Sequence, residues 1–190
     1  MPARLRPGST FLYDENSTDI VGVRDPDGSE FYFQRVPYLG VFFDTTTQTD
    51  GSGAVPMEFN TQALSRGVRL VDSSKIYVDR AALYEFQLSV HIHNDDNQAH
   101  RFELWGRLNG TTNIANSRFI YSILASHSTD PGTLIPSQNF WLALQAGEFI
   151  EVMWETNSED VTIAYHAAEE GKPVSPSLLL TVKEIAPYSA

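Results

Sequence analysis

Two histidines one residue apart, His91-Ile92-His93, are the first side chains in this sequence with coordination chemistry in them. On an extended strand, positions i and i+2 point to the same face. The two imidazoles are then neighbours that could chelate zinc or nickel. Asp95, Asp96 and His100 follow closely enough to complete a ligand set. The competing reading takes the pair as the polar face of an exposed strand running into the loop Asn94-Asp-Asp-Asn97. That reading is preferred, so the expectation is no metal and no cofactor. Asp25-Pro-Asp-Gly28-Ser superficially resembles a calcium loop, but an EF-hand needs a bidentate carboxylate at its twelfth position, where this chain has Val36. Turn chemistry accounts for it better. Asn157-Ser-Glu-Asp160 and Glu169-Glu170 read as solvated loop charge. The sequence has no Gly-x-Ser-x-Gly elbow, phosphate loop or dinucleotide fingerprint. No spacing brings two carboxylates together as glycoside hydrolysis requires. The expectation is a protein that is not an enzyme.

The elements that would carry these residues are strands. From Tyr84 to His93, Tyr84, Phe86, Leu88, Val90 and Ile92 fall on one face, and Glu85, Gln87, Ser89, His91 and His93 on the other. A helix, with its period of 3.6, cannot hold that segregation. Phe102, Leu104 and Leu108 lead to the turn Asn109-Gly110. Phe140, Leu142 and Leu144 are closed by Ala146-Gly147. Ile150, Val152 and Trp154 follow, then Val161 and Ile163, then Leu178, Leu180 and Val182. About nine or ten short strands at regular spacing predict an all-β sandwich. Thr61 to Ser65 is the one stretch that reads as a helical turn. Before Pro37 the composition changes to Asp, Gly and Pro. There, Val21 to Phe33 reads as a hairpin around Asp25-Pro-Asp-Gly28. A two-stranded hairpin is marginal alone, so this arm is expected to pack on something else. The predicted organisation is an arm over 1–36 and a β domain over 37–190.

The 190 residues suffice for one domain with a hydrophobic core and a short appendage. A hydrophobic fraction of 42% separates the chain from disordered sequences. The absence of cysteine excludes disulfides and thiolate metal sites. A net charge of −11 opposes phosphate backbones and anionic lipid, so neither nucleic acid nor membrane is an expected partner. No run approaches the ~20 apolar residues of a membrane helix. Met1-Pro-Ala-Arg-Leu-Arg6 lacks the apolar run of a secretory signal.

The order of the segments resembles the jelly-roll family of the complement first-component globular head and the tumour necrosis factors. The resemblance is carried by Tyr38-Leu-Gly-Val-Phe-Phe43, Val55-Pro-Met-Glu-Phe-Asn60, Tyr84-Glu-Phe86 and Leu104-Trp-Gly-Arg-Leu-Asn-Gly110. Asn116-Ser117, Leu144-Gln-Ala-Gly147-Glu-Phe-Ile-Glu-Val152 and Pro176-Ser-Leu-Leu-Leu-Thr-Val182 continue it. Leu83 stands where the family usually has glycine. The chain is most similar to variants encoded by tailed phages. The resemblance implies a ten-stranded antiparallel jelly roll and a homotrimer. Phe42, Tyr77, Phe119, Tyr121, Trp141 and Tyr165 are aromatics in excess of one interior, and are expected at the trimer interface. No Gly-X-Y repeat or heptad run supplies a collagen stalk or coiled-coil shaft.

The expected function is therefore that of a virion structural protein, assembled in the host cytoplasm. It would be a capsid decoration, or cement, protein on the outer surface of a phage head, its trimer bridging copies of the major capsid protein. Val23, Asp25, Pro26, Gly28, Phe31 and Phe33 would anchor it. The alternative is a tail or neck fibre tip that binds a host surface glycan through loops 94–100, 126–136 and 156–160. A carbohydrate-binding module comes third.

Overall fold

The computed structural model describes residues 6–13, 20–32, 36–49, 53–128 and 130–187. The described residues are strands and connections, with no helix. They divide into two compact units, with the break between Pro37 and Tyr38.

The first unit is a three-stranded antiparallel sheet of β1 (Thr10–Tyr13), β2 (Ile20–Arg24) and β3 (Glu30–Tyr32), in that order. The expected hairpin is its β2–β3 half, and β1 pairs with β2 as a third strand. The Asp25–Gly28 segment is a turn: Gly28 N–H donates to Asp25 O at 2.9 Å, and Gly28 has φ +88°. Such a backbone favours glycine over any residue with a Cβ. Ser9 Oγ donates to Asp25 Oδ1 at 2.8 Å, tying the start of the unit to that turn.

The second unit contains two larger sheets. One has the order β15 (Ser137–Leu144), β9 (Ala82–Val90), β18 (Leu178–Pro187), β4 (Leu39–Asp44), β6 (Thr61–Arg66). The other runs β12 (Thr112–Asn113), β11 (His100–Leu108), β16 (Phe149–Thr156), β8 (Lys75–Val78), β7 (Val68–Val71). Two further strands join it, β13 (Phe119–Ile123) on β11 and β5 (Val55–Pro56) on β16. A small third sheet sets β10 (Ile92–Asn94) between β14 (Gly132–Leu134) and β17 (Val161–Ile163).

One hydrophobic core draws on both large sheets. The predicted inner face of β9, Tyr84, Phe86, Leu88 and Val90, is buried against Phe102, Leu104, Val152 and Trp154 of β11 and β16. Phe86 stacks on Phe140 with ring centroids 5.2 Å apart, and Phe102 on Trp154 at 5.4 Å. Offset ring pairs add about 0.5–1.5 kcal/mol each beyond their buried area. Across the outer face of the five-stranded sheet, the register sets Leu64, Val41, Thr181, Gln87 and Asn139 in one row. Phe43, Leu179, Ser89 and Ser137 form the next row.

Two expectations are corrected. The second unit has fifteen strands among its described residues, against the ten expected. Strands of two to four residues, such as β5, β12 and β14, are too short to show alternation. Thr61–Arg66 is an edge strand paired with β4, and not a helical turn. Cross-strand pairing there outweighs a weak local preference.

Candidate functional site

His91 sits where the chain passes from one sheet to another. Val90, just before it, pairs with Leu178 in the five-stranded sheet. Ile92, just after it, pairs with Ile163 and Leu134 in the small sheet. His91 itself bridges the two: its N–H donates to Ser177 O at 2.9 Å, and its carbonyl accepts from Ala164 N at 2.7 Å. Ser177 is in turn held by Asp44, a carboxylate only 2% exposed. Asp44 accepts from Ser177 Oγ at 3.0 Å and from Gln48 Nε2 at 2.8 Å.

Strand parity then sets which side chains share a face. Ile92 is buried, so His91 and His93 point outward. His93 lies opposite Thr162 on β17 and Thr133 on β14. Continuing from Thr162 through Ala164, the same face reaches His166. That residue opens a short antiparallel excursion. His166 and Ser175 exchange backbone hydrogen bonds at 3.0 and 2.9 Å, and the chain reverses at Gly171, which has φ +74°.

The result is a cluster of three imidazoles, His91, His93 and His166, whose candidate ligand nitrogens all lie within 4.8 Å of one another. His93 Nε2 and His166 Nε2 are 3.2 Å apart. Ring centroids are separated by 4.5 Å for His91 and His166, 4.8 Å for His93 and His166, and 5.0 Å for His91 and His93. All three rings are half-buried. They line a pocket of about 480 Å³ with Asp130, Thr133 and Glu169. Burial pushes the His91 imidazole below its ordinary value of 6.5, and the neighbouring His166 and His93 push it the same way. His93 is lowered by burial and by His166, with Asp95 opposing. Both shifts favour the neutral imidazole, the form that coordinates a metal.

The companions expected from the sequence do not join this group. His100 pairs instead with Asp96, Nε2 to Oδ2 at 2.7 Å. His166, 73 residues from His93 in the chain, carries no local signal that marks it. Only pairing of Val161–Ile163 with the histidine-bearing strand would have placed it.

The aromatic set divides. Trp141 is 61% exposed on the outer face of β15. Phe42 is fully buried against Phe59, so it belongs to the subunit core and leaves no surface to share. Phe119 and Tyr121 are partly buried against the core, and the Tyr121 hydroxyl accepts from Gln138 Nε2. Tyr77 packs on Phe149 at 4.8 Å under the Arg69 guanidinium. Tyr165 is half-buried, its N–H donating to Thr47 Oγ1 at 3.1 Å. In the first unit, Val23 is buried, which withdraws its side chain from any docking surface, while Pro26 and Gly28 are exposed at the turn. Phe31 lies in β3. Phe33 lies outside the described residues.

No family model matches the chain, and no curated protein matches it.

Proposed function

We propose that this chain is a homotrimeric jelly-roll knob serving as a virion structural protein, a decoration protein on the outer surface of a tailed-phage head. The observation that carries the reading is the outer face of the five-stranded sheet. Its rows through Phe43 and Val41 hold no charged side chain, in a chain with 24 acidic residues, while the next row, which carries Trp141, also holds Glu85, Lys183 and Arg66. Leu64, Leu179, Ile185 and Trp141, all on strands of this sheet, are 40–61% exposed. An uncharged patch bordered by an exposed aromatic side chain and a charged rim matches the composition of a protein interface. A second and third copy of the chain are its proposed occupants.

Strand order supports the jelly-roll reading. The first strand of the unit, β4, lies beside the last, β18. The long strands β9, β11, β15, β16 and β18 alternate between the two large sheets. The separate three-stranded unit supports the anchor role, with the exposed Asp25–Gly28 turn as its docking point on the major capsid protein. Three modest anchors on one trimer bind with high avidity. The mechanism is mechanical: each trimer bridges neighbouring shell subunits against internal pressure.

The polar pocket at His91, Asp130 and Thr133 favours one second reading, a receptor-binding tip on a tail or neck fibre that takes a surface glycan. Quantifying the chain in purified particles tests both. A decoration protein is present in hundreds of copies, on the order of one trimer per shell three-fold, and a fibre tip in few. Absence from the particle overturns both. Deleting residues 2–36 is expected to abolish head binding while sparing the trimer.

A further inference from the structure

The geometry points to a zinc site in each chain, built by the imidazoles of His91, His93 and His166. A tetrahedral zinc ion with Zn–N bonds of about 2.0–2.1 Å sets its ligand nitrogens about 3.3 Å apart. His93 Nε2 and His166 Nε2 stand 3.2 Å apart, already at that edge length. His91 Nδ1 or Nε2 lies within 4.8 Å of both partners, so small side-chain rotations close the triangle. The backbone needs no rearrangement, because His91 is bonded to Ala164 and Ser177, which flank the excursion that His166 and Ser175 close.

Donor chemistry selects the metal class. Three imidazoles and no thiolate suit zinc, copper or nickel, whereas calcium and magnesium require oxygen ligands. Among the described residues three protein ligands converge, so one coordination position is left for water or an external oxygen ligand. Asp130 and Glu169 line the pocket, but Glu169 is engaged by Lys172 at 2.8 Å. The ion would join three stretches that backbone hydrogen bonds and the His93–His166 ring contact now connect: the residue after β9, β10, and the 166–175 excursion. Its role at this level is a cross-link that holds the excursion on the strand. The trimer reading is independent of it, since no residue of the cluster lies in the two uncharged rows.

The test uses full-length, tag-free protein stripped with a chelator and then dialysed free of it. Titration with zinc chloride, read by isothermal calorimetry and by metal analysis after gel filtration, is expected to give one zinc per chain. Cobalt(II) is expected to produce the intense visible absorption of a tetrahedral site. Zinc is expected to raise the melting temperature of the wild type and leave that of His166→Asn unchanged. His166→Asn is expected to weaken binding by more than the ~10–100-fold that loss of an outer-shell partner costs. His91→Gln serves as the second variant, with metal-free circular dichroism confirming its fold. His127→Gln, outside the cluster, is expected to bind as the wild type does. Less than half a zinc per chain, or binding that survives both cluster variants, overturns the proposal.

Discussion

Replacing Trp141 by alanine is expected to dissociate the proposed trimer without unfolding the subunit. Trp141 projects from β15 with 61% of its surface exposed, its Nε1 reaching only to Glu85 Oε1 at 3.3 Å. Removing so exposed a side chain changes subunit stability by less than about 0.5 kcal/mol. In an assembled trimer the exposed part of the ring is covered. An aromatic side chain buries about 150–250 Å² in all, so the exposed share is roughly 90–150 Å² per copy. At about 25 cal/mol per Å², that share contributes about 2–4 kcal/mol per copy. Three copies lose about 7–11 kcal/mol per trimer, or roughly five to eight powers of ten in the association constant. The concentration at half-assembly scales as the square root of the trimer dissociation constant, so it rises by roughly a thousandfold. Sedimentation velocity over a dilution series reads this shift directly. An unchanged half-assembly concentration with wild-type circular dichroism would refute the assignment of this face.

Glu184→Gln tests the buried ion pair with Arg80, whose side chains are 3% and 10% exposed. It leaves the guanidinium facing an uncharged amide and is expected to cost about 3–5 kcal/mol in urea unfolding. Disrupting the exposed Lys172–Glu169 pair is expected to cost less than about 1 kcal/mol in the same assay. Leu88→Ala, at a fully buried position of β9, is expected to cost about 2–5 kcal/mol by chemical denaturation. Gly132→Ala would place a Cβ 1.8 Å from the Leu124 carbonyl oxygen, so β14 must shift. Its expected signature is a loss of about 1–3 kcal/mol together with weaker zinc binding, because β14 pairs directly with the strand that carries His93. Asp44→Ala removes the acceptor of Ser177 Oγ and Gln48 Nε2 and is expected to cost about 1–3 kcal/mol, measured by thermal melting.

The fold class was legible where strands are long and have one buried face. Tyr84, Phe86, Leu88, Val90 and Ile92 alternate in sequence and are buried in space. The edge strand β6 and the two-residue strands were not, because their side chains are mostly exposed or too few to show a period. Thr61–Arg66 is mostly exposed, so its pairing with β4 left no mark in its residue types. The histidine cluster was half legible. His91 and His93 are adjacent through local strand geometry alone. His166 arrives through the β10–β17 register, a long-range property that no local pattern encodes. Phe42 shows the converse difficulty: residue type marks an aromatic as apolar, and only the fold decides whether its ring faces the core or a partner. Asp44 is likewise a buried carboxylate whose worth lies in partners far along the chain.

Native mass spectrometry of the full-length chain tests the central claim most directly. The account predicts one dominant species at three times the 21.2 kDa chain mass, persisting at the lowest concentrations sampled. A species at the mass of a single chain, with the β-rich circular dichroism of the folded protein, would contradict it.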